Sequence, residues 1–233
     1  AFRVYAVDLP GYGLSDARPI TYNAELYTHF LTDFLLQVAG PSACALGSVL
    51  GASYLVQVAA RSPQLITRLA LVSPAGLSSH IPRPLGWITF RFLGLPLIAT
   101  AAHNSATSRA SILEHLQETV YSDETLAGPQ AVDCRYWVCH RPWAEYVERA
   151  RMAGLLNTEI RQSVRQLTQP VHLLWGRGAE RPPLSDSEIF RELKPGTGLT
   201  VFDRSTLAPH EEEPLRFNRV VSQFLSADSA VAA

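Results

Sequence analysis

The chain has 233 residues, 47% of them hydrophobic and 18% charged, with 14 glycines and 16 prolines. That is enough for one sizeable domain with a buried core, and the apolar content excludes disorder, collagen and low-complexity sequence. Twenty basic residues, nearly all arginine and scattered along the chain, stand against 21 acidic ones for a net charge of −1, which argues against nucleic acid as a partner.

In chain order, residues 3–9 read as a strand by their β-branched and aromatic content, ended by the turn Pro10-Gly11-Tyr12-Gly13. Asn23 caps a helix whose apolar positions Leu26, Phe30, Leu31, Phe34, Leu35 and Val38 recur at spacings of three and four, until Gly40-Pro41 stops it. Residues 43–46 form a short apolar strand, 51–61 a helix, and 68–72 a third strand closed by Ser73-Pro74-Ala75-Gly76. Residues 77–154 then break the alternation with Pro-interrupted helical stretches rich in Trp, Tyr and Arg. The rhythm resumes with a helix over 155–167, a strand over 171–175, a helix over 185–193, a strand over 199–203 and a helix over 214–225, before a tail expected to fray. Strands alternating with helices predict an α/β fold, a mostly parallel sheet flanked by helices. The core comprises 1–76 and 155–233, and 77–154 is an insertion.

Three further features bound the class. Cys44, Cys134 and Cys139 have neither the number nor the spacing of a disulfide framework or a zinc site, so a reducing, cytoplasmic setting is the expectation. The chain opens with Ala1 straight into an apolar run, which is expected of a processed protein or a fragment. Residues 85–102 approach the length of a membrane span, but Arg91 lies inside the segment and Pro96 breaks it. They are read as a helix of the folded domain or a membrane-surface segment, not a span.

The run Asp8-Leu-Pro-Gly11-Tyr-Gly13-Leu-Ser15-Asp16, then Gly47-Ser-Val-Leu-Gly51 between a strand and a helix, then Leu-Val-Ser-Pro-Ala-Gly76, resembles the α/β-hydrolase superfamily. Pro170-Val-His-Leu-Leu-Trp-Gly176 and Pro209-His-Glu-Glu-Glu-Pro214 continue the resemblance. It implies that 77–154 is a helical cap over the site. It also implies a nucleophile at the centre of a strained G-x-S-x-G turn, a His base and an orienting carboxylate. Carried over residue by residue, the nucleophile position is Val49, the acid position after Trp175-Gly176 is Ala179, and the His position, seven before Pro214, is Leu207. The resemblance further implies an earlier strand and a turn donating to an oxyanion hole ahead of residue 3. Both are absent from this chain, and the sheet is expected either to pair residues 3–9 directly with 43–46 or to leave a gap.

The remaining polar groups offer few parts for a rebuilt site. Ser48 lies one residue early in the turn and is expected to bond local backbone. Glu180, between Arg177 and Arg181, is expected in an exposed ion pair, and His210 as a hydrogen-bonding group at a helix entry. Ser73 has no acid beside it, and His80, His103, His115 and His140 lie in the insertion, where structural roles are the expectation. Asp133, Cys134, Cys139 and His140 match no familiar metal spacing; no metal and no cofactor is expected. The leading reading is a family member without the usual triad, binding a small apolar ligand beneath the cap in a pocket lined by Val49, Leu50 and Leu207. The alternative is a hydrolase of an ester, or a lyase, using Ser48 with Glu180 and His210 or a cap histidine. Trp87, Phe90, Phe92, Leu93, Leu95 and Leu97 are a candidate surface for a protein partner or a membrane, with packing onto the core as the favoured role.

Overall fold

The structure is a computed structural model and describes residues 2–78 and 83–227. A helix α1 (Ala24–Phe34), widened at its end into a π-turn over Leu35–Ala39, precedes strand β1 (Ala43–Ser48), helix α2 (Leu50–Arg61) and strand β2 (Ile66–Val72). Five helices follow: α3 (Arg83–Phe92), α4 (Pro96–Ala106), α5 (Arg109–His115), α6 (Pro129–Cys139) and α7 (Ala144–Met152). After a short α8 (Arg161–Gln166) come β3 (Val171–Gly176), α9 (Asp186–Leu193), β4 (Gly198–Phe202), α10 (Pro209–Glu212) and α11 (Pro214–Ser226). Pro96 and Pro129, expected to interrupt helices, begin them instead, as Pro209 and Pro214 also do: each occupies a first-turn position, where the missing N–H costs nothing.

The four strands pair in the order β1-β2-β3-β4, all parallel, with Leu46 opposite Ala70, Leu71 opposite Leu173 and Leu174 opposite Thr200. One face carries the main core, in which Val56, Leu69, Leu71, Leu173 and Trp175 are buried with α2, α8 and α9 against them. The other face is covered by α11 through Phe217 and the flanking Val220, Val221 and Phe224.

Three expectations are corrected. Residues 3–9 form no strand; they run extended without a sheet partner, with Val4 80% exposed and Tyr5 resting edge-on against Phe34 at 5.9 Å. Among the described residues the sheet thus has four strands, not five, and the far side of β1 is unpaired. The buried face of α1 is Ala24, Tyr27, Thr28 and Leu35, about one residue round from the expected stripe, and Val38 is exposed. Thr28 is tolerated inside because its hydroxyl donates to Ala24 O at 2.8 Å and meets Gln57 Oε1 at 3.1 Å. Residues 155–160 are not helical, since tertiary partners occupy their backbone: Tyr54 donates to Leu156 O at 2.7 Å, and Ile160 N to Gly76 O at 3.2 Å.

Candidate functional site

The turn between β1 and α2 is the most constrained point of the backbone. Val49 sits there at φ 48° and ψ −110°, a conformation rare for any side chain and costly for a β-branched one. Its surroundings over-determine it: Val49 N donates to Val72 O at 2.9 Å, and Val49 O accepts from Ser53 Oγ at 3.0 Å and Ala75 N at 3.4 Å. Gly47 makes the turn closable, because a Cβ there would lie 2.7 Å from Leu55 Cδ1 and 2.9 Å from Ala52 N, whereas Gly51 has open space around it. Ser48 ends β1 opposite Val72. Among the described residues its hydroxyl makes no hydrogen bond, so the expected local backbone bond is not formed.

Beside this turn, at the same C-terminal edge of the sheet, stand the other two positions. Ala179 is buried in the main core just past β3, and Leu207 packs half-buried against the same core with its N–H donating to Val120 O at 3.2 Å. Leu50 packs against a second cluster that includes Tyr27 and Tyr54. Burial holds the hydroxyls of Tyr12, Tyr27 and Tyr54 well above the ordinary phenol range, so they are neutral at any physiological pH. Two cavities are described, of about 230 Å³ beside Pro10, Asp16 and Tyr22 and about 390 Å³ beside Arg109, Tyr136 and Arg141. Neither is lined by Val49, Leu50 or Leu207.

Ser48, Glu180 and His210 are not joined by any hydrogen bond among the described residues. Glu180 is exposed in a one-residue bridge to Pro183, and Arg177, its expected partner, pairs with Asp203 instead at 2.6 Å. His210 makes no helix-entry hydrogen bond; its Nε2 lies 3.6 Å from Glu211 Oε1 and its ring 5.7 Å from Phe217, and burial pushes its pKa down. In the insertion, Asp133 pairs with Arg109 at 2.8 Å and His140 stacks on Tyr136 at 3.9 Å. The cysteines are free, and no group of three metal-ligating side chains forms among the described residues. His80 lies outside the described residues.

The carboxylates of Glu211 and Glu212 were not picked out from the sequence. Glu212 accepts from Ser122 N at 2.6 Å and Thr206 N at 2.8 Å, while Glu211 accepts from Tyr121 Oη, which in turn accepts from Arg135 Nη2 at 3.0 Å. These carboxylates tie the insertion to the loop that carries Leu207. The acidic run after Pro209 signals carboxylates gathered where a helix begins, but not which groups they reach. Ser73, which the sequence leaves without an acid beside it, is fully buried at φ 43° with a hydroxyl that has no partner among the described residues. The favoured packing of the aromatic segment is corrected as well: Phe90 is buried, but Trp87, Phe92, Leu95 and Leu97 are exposed. No single helix among the described residues is long and apolar enough to cross a membrane; residues 85–92 and 97–106 together are, but bent by 103°.

Comparison with known proteins agrees with this architecture. The sequence profile described as the alpha/beta hydrolase family matches residues 1–220. An uncharacterised Mycobacterium tuberculosis protein is 25% identical over 238 residues, 96% of this chain and 67% of its own. A pimeloyl-[acyl-carrier protein] methyl ester esterase of Vibrio campbellii is 26% identical over 230 residues, 96% of this chain and 84% of its own. Among solved structures, a meta-cleavage product hydrolase from Pseudomonas fluorescens superposes with a TM-score of 0.72 at 20% identity, covering 94% of this chain and 77% of that one. An esterase from Exiguobacterium antarcticum gives 0.73 at 17%, covering 94% and 80%. With a strained strand-to-helix turn, a parallel sheet and a profile match over nearly its whole length, the chain belongs to the alpha/beta hydrolase family.

Proposed function

We propose that this chain is a non-hydrolytic or atypical member of the family, without the usual Ser/His/acid triad, and that it binds a small apolar ligand between the core and the helices of residues 77–154. The observation that carries the reading is Val49. It holds a backbone conformation that is costly for valine, at the position where the family pattern requires a nucleophile, and it has no atom that could attack a carbonyl. Ala179 and Leu207 support the reading in the same way: neither side chain can orient or accept a proton. Val49, Leu50 and Leu207 are all apolar and half-buried, which suits an apolar guest.

A serine-directed fluorophosphonate tests the chemistry. No stoichiometric labelling of the parent is expected, whereas Val49→Ser combined with Ala179→Asp and Leu207→His gains labelling if the turn keeps its geometry. Stoichiometric labelling of the parent chain overturns the proposal. The ligand is tested with 8-anilinonaphthalene-1-sulfonate, whose fluorescence enhancement is expected to drop in Leu207→Asp.

One observation favours a second reading, hydrolysis of an ester by Ser48: relatives at about 26% identity are methyl ester esterases. In that case Ser48→Ala abolishes turnover of a short-chain p-nitrophenyl ester without lowering thermal stability. An equally active Ser48→Ala, or an inactive parent, excludes it.

A further inference from the structure

Helix α3 has two apolar stripes. One points into the molecule. Phe90 is buried under the Arg149 guanidinium, which lies 4.0 Å from its ring centroid, and Gly86 lies one turn earlier where a Cβ would approach Ala153 O to 2.9 Å. The other stripe, Leu85, Ile88 and Phe92, follows a spacing of three and four and points to solvent, with Ile88 65% exposed. Trp87, Leu95 and, at the start of α4, Leu97 at 88% exposure extend it. A helix apolar all round belongs inside something, and six large apolar side chains gathered on one exposed corner exceed what a folded chain leaves bare without use.

The charge pattern says what covers this corner. Although the whole chain is nearly neutral, no Asp or Glu occurs anywhere between residues 34 and 113, a stretch that contains Arg61, Arg68, Arg83, Arg91 and Arg109. All 21 acids lie outside it. Arg91 stands exposed on α3 between the outward apolar positions. A second copy of the chain packed here about a two-fold axis would bring Arg91 towards Arg91, and α3 and α4 carry no acid of their own to offset the repulsion. An anionic lipid surface supplies the missing negative charge and an apolar layer together. A short bent helical pair with Leu, Ile and Phe outward, a Trp beside them and arginine at the rim matches an element that lies in the bilayer interface without crossing it.

We propose that the corner formed by α3 and the start of α4 is a docking surface for anionic membrane lipid, with Ile88, Phe92 and Leu97 entering the acyl boundary and Arg91 meeting head groups. This stands independently of the ligand proposed beneath the insertion.

The test is flotation of the full chain with vesicles of phosphatidylcholine alone and of phosphatidylcholine with one-third phosphatidylserine. Binding is expected to the phosphatidylserine vesicles, weakened by high salt. Ile88→Asp with Leu97→Asp is expected to weaken it by more than about 100-fold, since each removes a large apolar contact, and Arg91→Glu by roughly tenfold. Both sites are exposed, so circular dichroism and melting temperature are expected to match the parent. Brominated acyl chains should quench tryptophan fluorescence in the parent and not in Trp87→Leu. Failure of the parent to float with either vesicle overturns the proposal, as does binding that the double variant retains. Sedimentation showing that the corner instead joins two copies, with no lipid binding, overturns it too.

Discussion

In the sheet, β2 and β3 bury Leu69, Leu71, Leu173, Leu174 and Trp175 completely, and their stability comes from apolar contact on both faces. From α3 to α7 the buried apolar side chains are split between two smaller clusters: Ile112, Leu116, Tyr121, Ala127 and Val132 in one, Phe90, Val147, Ala150 and Ala153 in another. The second cluster joins these helices to Tyr27 and Tyr54 of the core, and polar ties add to it: Glu212 on the backbone of residues 122 and 123, Tyr121 on Glu211, and Arg141 on Gly13 O and, at 3.4 Å, Leu14 O. Burial is non-directional and tolerates change by degrees, whereas a polar tie fails when one partner is removed and the other is left unsatisfied. The two regions should therefore respond differently to substitution.

The largest effect is expected in the sheet. Trp175→Ala removes a fully buried indole and the bond from its Nε1 to Pro182 O at 3.3 Å, at a cost of about 3–5 kcal/mol. Urea denaturation should show a lower midpoint with a single transition, because the sheet is the cooperative core. A loss below about 1 kcal/mol would mean that the core is not centred on β3.

The next effect belongs to the insertion. Glu212→Ala removes the acceptor of Ser122 N, which is exposed, and of Thr206 N, which is part-buried, a cost of about 0.5–1.5 kcal/mol. The expected signature is local: amide exchange accelerates at Ser122, Asp123 and Thr206 while the amides of β2 and β3 keep their protection. If β3 loses protection to the same extent, core and insertion open as one unit and the contrast between them fails.

How legible this was differs along the same line. β1, β2, β3 and β4 appear within two residues of their expected bounds, because a short apolar run between turn residues has few other uses in a parallel sheet. Residues 3–9 show the opposite. Their composition is as β-prone as any strand here, yet β-propensity describes fit to a neighbouring strand, and none flanks them. In the proposed site, the choice of Val49, Ala179 and Leu207 rests on counting along the chain from Gly47, Trp175-Gly176 and Pro214. The ties made by Glu211 and Glu212 were not legible, since they join residues 90 apart in sequence and only the folded chain brings them together.

A smaller effect is expected at the turn. Val49→Gly relieves strain of about 1–3 kcal/mol and costs about 0.5–1 kcal/mol in unfolded-state freedom, so a net gain near 1 kcal/mol is predicted. A lowered melting temperature for Val49→Gly would show that the lost contacts of the valine side chain outweigh its strain.

The smallest effect is pH dependence, and it distinguishes the regions by where it acts. Burial holds His103 and His115 in the insertion below the ordinary imidazole range, helped by neighbouring His140 for the first and by Arg151 and Arg135 for the second; burial alone lowers His172 in β3. A histidine with a depressed folded pKa takes up its proton more readily in the unfolded chain. Stability is then intact above about pH 6.5 and is lost as the pH falls from there through the depressed folded value. Asp186 works the other way: burial raises its carboxyl despite a bond from Ser78 Oγ at 2.9 Å. Its contribution improves as pH falls through that raised pKa, which begins from the carboxylate range. Between neutrality and mild acid the histidines dominate. Because the buried side chains of α3 to α7 are split between two small clusters rather than joined in one core, α4 and α5 should lose amide protection first on acidification while β3 holds, and His103→Gln should restore part of it. If β3 opens together with α4 at the same pH, the polar ties of the insertion are no weaker than the packing of the sheet.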